Sequence, residues 1–200
     1  YEGRECPPVL EKALIAGPTE SDVDVVRSGL GPTPMLYYAE AELEVDGGIM
    51  ITGSHNPAHY NGFKMVMFGN AFFGEDIKRL GAMAAEGDWE DGSGTIGEAD
   101  VMDLYVGRLL QNFVGGGFRV GWDAGNGAAG PVVEKLVARL PGEHHLLYTD
   151  VDSRFPNHHP DPTEEKNLED LKALVAERQL DFGFAFDGDG DRIGAVDGEG

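Results

Sequence analysis

Short apolar segments alternate with longer helical segments along this chain, and this alternation limits the fold more than any other sequence feature. In the second half, apolar residues recur at helical spacing over 131–140 and 164–178. Short apolar runs between and around them predict strands over 118–122, 146–148, 182–186 and 193–196. Strands that alternate with helices are typical of α/β domains with largely parallel sheets.

The first half has the same kind of alternation. Helices are predicted from Pro8 to Gly17-Pro18, over 35–43, near 74–86 and near 98–113, and strands over 23–26, 48–51 and 63–68. Three consecutive glycines, 115–117, are the best candidate for a domain boundary. We therefore expect one domain over 1–114 and a second over 115–200.

The composition narrows the possible partners. The 200 residues carry 36 acidic and 15 basic side chains, which gives a formal net charge of −21. Such a field repels nucleic-acid backbones and anionic lipid, so neither partner is expected. The sequence contains no apolar run near the ~20 residues that cross a bilayer, and no secretory signal. A single cysteine, Cys6, is consistent with a cytoplasmic location. No oligomeric state is predicted.

Residues 187–192 place Asp187, Asp189 and Asp191 at alternate positions after an apolar segment. The glycines between them allow the loop to curl, so that three carboxylates converge. Hard oxygen ligands in that number favour Mg²⁺ or Ca²⁺. An EF-hand does not fit, because its loop needs glycine where this chain has Arg192 and glutamate where it has Gly198. The remaining alternative is an acidic turn with solvated carboxylates, in which nothing would offset their repulsion.

Residues 52–57, Thr-Gly-Ser-His-Asn-Pro, follow a predicted buried strand. Ser54 then projects at the carboxyl end of that strand, where open α/β sheets bind ligands. A serine hydroxyl there can hold a phosphoryl group covalently, although such a segment is more often a turn or a helix cap. Lys64 follows ten residues later across a predicted hairpin and could point back toward Ser54; the alternative is a surface lysine.

Residues 125–130, Gly-Asn-Gly-Ala-Ala-Gly, match the glycine pattern of dinucleotide-binding loops between a predicted strand and helix. Asp150 lies twenty residues beyond the last glycine, as that pattern requires. The simpler interpretation is a tight strand-to-helix connection in which glycine only permits the geometry. Both interpretations stay open at this point.

Three segments in this order and separation, 52–57, 60–64 and 187–192, resemble the α-D-phosphohexomutase superfamily, most closely its bacterial phosphomannomutase/phosphoglucomutase branch. The segments 123–127 and 155–162 resemble connecting segments of the same family. The resemblance implies two related three-layer α/β/α domains with mixed, largely parallel sheets. They would be family domains I and II, truncated at both ends, with the first strand of domain I and the C-terminal part of domain II missing.

The resemblance also implies a role for each candidate site residue. Ser54 would carry the phosphoryl group and contact Mg²⁺ held by the carboxylates at 187, 189 and 191. The remaining implied roles are a general base with a lowered pKa for Lys64, positioning of the phosphoseryl group for His55 and Asn56, a bidentate phosphate contact for Arg192, and a place near the phosphoserine for Arg4.

The implied activity is a Mg²⁺-dependent transfer of phosphate between C6 and C1 of mannose or glucose phosphate. It would pass through a phosphoserine and a hexose 1,6-bisphosphate, and the chain on its own would have little activity. Two alternatives remain, which are an NAD-binding dehydrogenase domain built on 125–130 and a non-catalytic module that binds a divalent metal.

Overall fold

The computed structural model describes residues 1–3, 7–54, 56 and 60–199, and both halves are mixed α/β. The helices are α1 Pro7–Glu20, α2 Thr33–Glu42, α3 Glu75–Glu86, α4 Met102–Leu110, α5 Gly130–Val137 and α6 Glu169–Arg178. The strands are β1 Val25–Arg27, β2 Gly47–Thr52, β3 Gly62–Met67, β4 Asn70–Phe72, β5 Ile96–Glu98, β6 Phe118–Asp123, β7 Gly142–Leu147, β8 Phe182–Phe186 and β9 Ile193–Asp197. A 3₁₀ turn, Glu165–Leu168, leads into α6.

The second half is built on a four-stranded sheet in the order β7-β6-β8-β9. Strand β6 pairs in parallel with both β7 and β8, whereas β8 and β9 form an antiparallel pair. The parallel pairs need crossover connections, and α5 and α6 supply them. The sheet is therefore mixed and largely parallel, as the sequence predicts.

Helices α5 and α6 cover opposite faces of this sheet. They contact residues that alternate along the strands, and successive side chains of a strand point to opposite faces. Val120 and Trp122 of β6 pack with Val133 of α5 in one buried cluster. The opposite face of the sheet presents glycines to α6. A Cβ on Gly121 would lie 3.0 Å from Leu171 Cδ1 of α6, and a Cβ on Gly183 would lie 2.8 Å from the same atom. The absence of side chains at these glycines lets α6 approach closely and completes a three-layer α/β/α arrangement.

The first half holds an antiparallel sheet, β2-β3-β4, and a separate parallel pair, β1-β5. Helix α2 buries Met35 and Ala39, which pack with Val101 at the start of α4. Strand β2 becomes fully buried toward its carboxyl end, at Met50, Ile51 and Thr52. This end of β2 leads directly into Gly53, which is also buried.

The structure differs from the local predictions in several places. Helix α1 continues through Pro18 to Glu20, because a proline in the last turn removes only one donor, and the Thr19 hydroxyl donates to Ile15 O at 2.9 Å. Strands β4 and β5 were not predicted, since each has only three residues and is defined by pairing, β4 with β3 and β5 with β1. Within the described part of the chain, no helix has the length and apolar character needed to cross a membrane.

Candidate active site

The turn between β8 and β9 gathers the three aspartates. Asp187 follows directly on the last residue of β8, and its backbone N–H donates to Arg192 O at 3.2 Å. Gly190, with φ +68°, donates its N–H to Asp187 O at 3.0 Å. Asp187 Oδ1 accepts the N–H groups of Asp191 and Arg192, both at 3.0 Å, so one carboxylate oxygen braces the loop and leaves the other for the site.

The three carboxylates fit a divalent cation. Ligand oxygens from Asp187, Asp189 and Asp191 all lie within 4.8 Å of one another. Oxygens on opposite sides of one Mg²⁺ or Ca²⁺ ion are about 4 to 5 Å apart, so these three need to move little to share one. Asp189 Oδ1 is buried without a hydrogen-bond partner among the described residues. A buried carboxylate oxygen without a donor is costly, and a cation would satisfy it.

The other oxygen of Asp189 is heavily used. Asp189 Oδ2 accepts hydrogen bonds from Thr33 Oγ1 at 2.5 Å, from Lys64 Nζ at 2.6 Å, and lies 3.0 Å from Thr52 Oγ1. Lys64 Nζ also donates to Asp191 Oδ2 at 2.5 Å. The ammonium group of Lys64 thus provides the positive charge between two of the carboxylates, and three separate segments of the first half reach the loop of the second.

Ser54 faces the same carboxylates from the end of β2. Its hydroxyl donates to Asp187 Oδ2 at 3.0 Å and accepts from Arg192 Nη2 at 3.1 Å. Its backbone has φ +51°, in the left-handed region that non-glycine residues seldom adopt. This conformation turns the chain sharply after β2 and directs the hydroxyl toward the loop that holds the aspartates.

The clustered charges shift several pKa values. Burial, reinforced by the charges of Asp189 and Asp191, raises the pKa of Asp187 to about 6, against opposing hydrogen bonds. Burial also acts to raise the pKa of Asp189, but hydrogen bonds from Lys64 and Thr33 outweigh it and lower that pKa.

The pKa of Lys64 differs from the prediction. Burial acts to lower its pKa, but its hydrogen bonds to Asp189 and Asp191 prevail and raise it. The predicted lowered pKa is therefore wrong for this arrangement, because the nearest charges to the ammonium group are negative rather than positive. No sequence motif gives this sign, which depends on the distances to two carboxylates far along the chain.

The loop at 125–130 packs against the loop that holds the aspartates, at Gly188. Gly125, Asn126, Gly127 and Ala128 donate their N–H groups to Asp123 Oδ1, Tyr148 O, Ala124 O and Gly188 O respectively. A Cβ on Gly127 would lie 2.7 Å from Gly188 O. Its backbone donors are thus engaged by protein atoms, and the segment is buried. A dinucleotide pyrophosphate would need those donors, so the tight-connection interpretation fits and the NAD interpretation does not.

The predicted site residues His55 and Arg4 lie outside the described residues. Asn56 is exposed, and its backbone N–H donates to Gly53 O at 2.9 Å. Sequence reasoning missed Glu2 and Thr33, both buried beside the site. Neither belongs to a motif, and only their burial as polar groups identifies them.

Most of the chain matches models of a known protein family. Two family models match, described as phosphoglucomutase/phosphomannomutase alpha/beta/alpha domain I over residues 1–90 and domain II over residues 103–200. The chain belongs to the phosphoglucomutase/phosphomannomutase family. Its two α/β/α units follow the order of domains I and II in that family.

Relatives in this family are similar over nearly the whole chain. The phosphomannomutase/phosphoglucomutase of Pseudomonas putida is 42% identical over 196 residues, 98% of this chain and 42% of the relative. The phosphoglucomutase of Neisseria meningitidis serogroup A is 40% identical over 202 residues, 100% of this chain and 44% of the relative. The chain thus spans less than half the length of these family members.

A solved structure shows the same fold. The crystal structure of a phosphoglucomutase/phosphomannomutase family protein from Burkholderia thailandensis superimposes with a TM-score of 0.93 at 42% identity. The match covers 100% of this chain and 45% of that protein. The predicted fold class, with two α/β/α domains of the phosphoglucomutase type, is confirmed.

Proposed function

We propose that the protein is a phosphohexomutase that moves phosphate reversibly between C6 and C1 of a mannose or glucose phosphate. The observation that carries this proposal is the 3.0 Å contact between Ser54 Oγ and Asp187 Oδ2 at the rim of a three-carboxylate cluster. A hydroxyl that is to carry phosphate should lie beside the groups that hold a cation. The names of the relatives support the hexose phosphate class of substrate.

A charge count supports a cation at this site. Three aspartates and a phosphoserine at position 54 bring about −5, and Lys64 with Arg192 returns +2. The remaining charge of about −3 would repel an incoming sugar phosphate. A Mg²⁺ ion held by Asp187, Asp189, Asp191 and the phosphoryl group on Ser54 would neutralise part of that charge and of the charge that develops during transfer.

Arg192 is suited to hold the transferring group. Its guanidinium lies 3.1 Å from Ser54 Oγ and 3.3 Å from Asp187 Oδ2. The planar fork of arginine can contact two phosphate oxygens at once while one N–H stays on a carboxylate. We propose that Arg192 orients the phosphoryl group on Ser54 and that His55 and Asn56, with Arg4, complete the contacts around it.

The transfer has two halves. In the first, the C1 hydroxyl of a hexose 6-phosphate attacks the phosphoryl group on Ser54, its oxygen–phosphorus bond forms, and the bond to Ser54 Oγ breaks. The C1 hydroxyl loses a proton and Ser54 Oγ gains one, which yields hexose 1,6-bisphosphate. The bisphosphate then turns over in the site. In the second half, Ser54 Oγ loses its proton and attacks the phosphorus of the 6-phosphate, the bond from that phosphorus to O6 breaks, and O6 gains a proton, which leaves hexose 1-phosphate and restores the phosphoserine.

We propose Lys64 as the group that accepts the proton of the attacking hydroxyl. In the present arrangement it is held as an ammonium group between Asp189 and Asp191. Lys64 must therefore leave these two carboxylates before it can act as a base. Once away from them, its ammonium group loses the two contacts that raise its pKa and can release a proton to water, which leaves the neutral amine that a base requires.

Four further points accompany the proposal. The domain boundary stays a prediction at 114/115, and a cytoplasmic location also stays a prediction. The 200-residue chain by itself is expected to turn over little substrate. A non-catalytic metal-binding module is the competing function, and it predicts metal affinity without phosphate on Ser54.

Mass spectrometry and a turnover assay test the proposal together. Protein purified from cells at its full natural length should yield a phosphopeptide that spans residue 54, and should convert glucose 1-phosphate to glucose 6-phosphate only with Mg²⁺. Metal binding with an unmodified Ser54 and no turnover, even after incubation with glucose 1,6-bisphosphate, would favour the metal-binding module instead.

A further inference from the structure

Glu2 is a buried acid directly behind the Ser54 turn. Its side chain is 4% exposed, although glutamate is seldom buried unless it has several partners. Glu2 Oε1 accepts the N–H of Gly53 at 2.7 Å, and Oε2 accepts the N–H of Ser54 at 3.2 Å. Its own backbone N–H donates to Ile51 O at 3.3 Å, which ties the residue to the end of β2.

These contacts explain how Ser54 keeps an uncommon backbone conformation. A non-glycine residue with φ +51° persists only where its surroundings hold it. One carboxylate receives two consecutive N–H donors, from Gly53 and Ser54, at the point where the chain turns. A carboxylate offers one oxygen to each of the two donors, whereas a neutral amide in the same place keeps an acceptor oxygen at only one of the two positions.

Glu2 also determines where the Thr52 hydroxyl hydrogen points. Thr52 Oγ1 lies 2.5 Å from Glu2 Oε2 and 3.0 Å from Asp189 Oδ2, yet a hydroxyl has one hydrogen to donate. Thr52 Oγ1 in turn accepts the N–H of Ser54 at 2.9 Å. The shorter contact directs the hydrogen to Glu2, so that Asp189 Oδ2 depends on Thr33 and Lys64 for its donors.

We propose that Glu2 is a positioning residue for phosphoryl transfer, which holds the Ser54 turn and the Thr52 hydroxyl in the geometry that places Ser54 Oγ against Asp187. The proposal rests on the function proposed for Ser54. Glu2 acts through the backbone of Gly53 and Ser54 and through Thr52, and it needs no contact with the substrate.

Glu2→Gln separates the charge of this group from its shape. With the amide oxygen toward the N–H of Gly53, the new NH₂ group faces the N–H of Ser54, so two donors oppose each other. The same NH₂ group donates to Thr52 Oγ1 and turns the Thr52 hydrogen toward Asp189. The turn at Ser54 therefore loosens, while the size of the side chain is unchanged.

The test compares full-length wild type with Glu2→Gln, Glu2→Asp and the exposed control Glu90→Gln. Residue-resolved amide hydrogen exchange at Gly53 and Ser54 is measured together with kcat, KM and the thermal midpoint. In Glu2→Gln we expect Ser54 exchange to rise about tenfold or more and kcat to fall about 10- to 100-fold, with KM within about threefold. Glu2→Asp should lie between wild type and Glu2→Gln in both measurements, and Glu90→Gln should match wild type.

Several results would overturn the proposal. One is amide exchange and kcat in Glu2→Gln that equal those of wild type. Another is a loss of kcat that follows only the unfolded fraction of the protein. A third is a Glu2→Asp variant whose exchange and kcat are no closer to wild type than those of Glu2→Gln. Should Glu2→Gln not fold, Glu2→Asp decides alone, because raised Ser54 exchange with an unchanged kcat contradicts a positioning role. A wild type without turnover and without phosphate on Ser54 refutes the proposed function instead, and the exchange data then test separately whether Glu2 holds the turn.

Discussion

The backbone of Gly188 touches the backbone of Ser54: a Cβ placed on Gly188 would lie 2.5 Å from Ser54 O. The loop that follows β8 and the turn that follows β2 therefore meet without a side chain between them. The glycine between Asp187 and Asp189 thus has a steric role. This contact brings a serine and a carboxylate cluster together although Ser54 and Asp187 are 133 positions apart in the chain.

Gly188→Ala should separate the two loops. The added methyl group meets a backbone oxygen that cannot rotate away, so we expect a loss of about 1–3 kcal/mol in unfolding free energy and a lower kcat. The matched control is Gly97→Ala, since a Cβ on Gly97 meets no atom of the described residues within 4 Å. Urea unfolding and steady-state kinetics of both variants provide the measurement. Equal stability and activity in the two variants would contradict the close contact.

Ser54→Ala should remove the proposed phosphoryl carrier and leave the three carboxylates in place. We expect no phosphate on the peptide that contains position 54 and at least a ~10⁴-fold lower kcat, because no other group replaces the nucleophile. Ser93→Ala, at an exposed loop position, serves as control. Intact-mass measurement and a coupled assay check both variants. Near-normal turnover by Ser54→Ala would mean that another residue carries the phosphate.

Asp189→Asn should weaken metal binding. The substitution replaces a buried carboxylate, one oxygen of which has no donor in the described part of the chain, so we expect Mg²⁺ affinity to fall by more than about tenfold. Titration calorimetry on EDTA-treated protein measures the effect, with the exposed Asp88→Asn as control. An unchanged affinity would exclude Asp189 from the ligands of the cation.

The pair formed by His158 and Asp123 predicts a pH dependence of stability. His158 Nε2 lies 2.9 Å from Asp123 Oδ2, and the Asp123 side chain is fully buried. Burial acts to lower the pKa of His158, but the hydrogen bond to Asp123, its charge, the carbonyl of His159 and the charge of Asp170 raise it overall. The ring also packs edge-on against Tyr148.

A raised pKa means that the charged imidazolium stabilises the fold below the unfolded pKa of about 6.5, and that this contribution disappears as pH rises through the folded value. We therefore expect His158→Gln to be more destabilising at pH 6 than at pH 8.5, by about 1 kcal/mol. Urea unfolding at the two pH values, with His159→Gln in parallel, measures the difference. A larger penalty at pH 8.5 would reverse the assigned sign.

The 200-residue chain alone should show little or no turnover of glucose 1-phosphate, since it spans less than half of its relatives. Full-length protein at the same concentration, assayed with Mg²⁺ and glucose 1,6-bisphosphate, is the reference. Robust conversion by the isolated chain would show that these 200 residues suffice for catalysis.

The amino-acid sequence determined the α/β alternation, the strand at 182–186 and the motifs that contain Ser54 and the three aspartates, because periodicity and local motifs are written in neighbouring residues. Tertiary structure decided the rest. Glu2 and Thr33 belong to no motif, and they matter because folding buries them against partners far along the chain. The raised pKa of Lys64 likewise depends on distances to Asp189 and Asp191, and electrostatic interactions follow distance in space rather than separation in sequence.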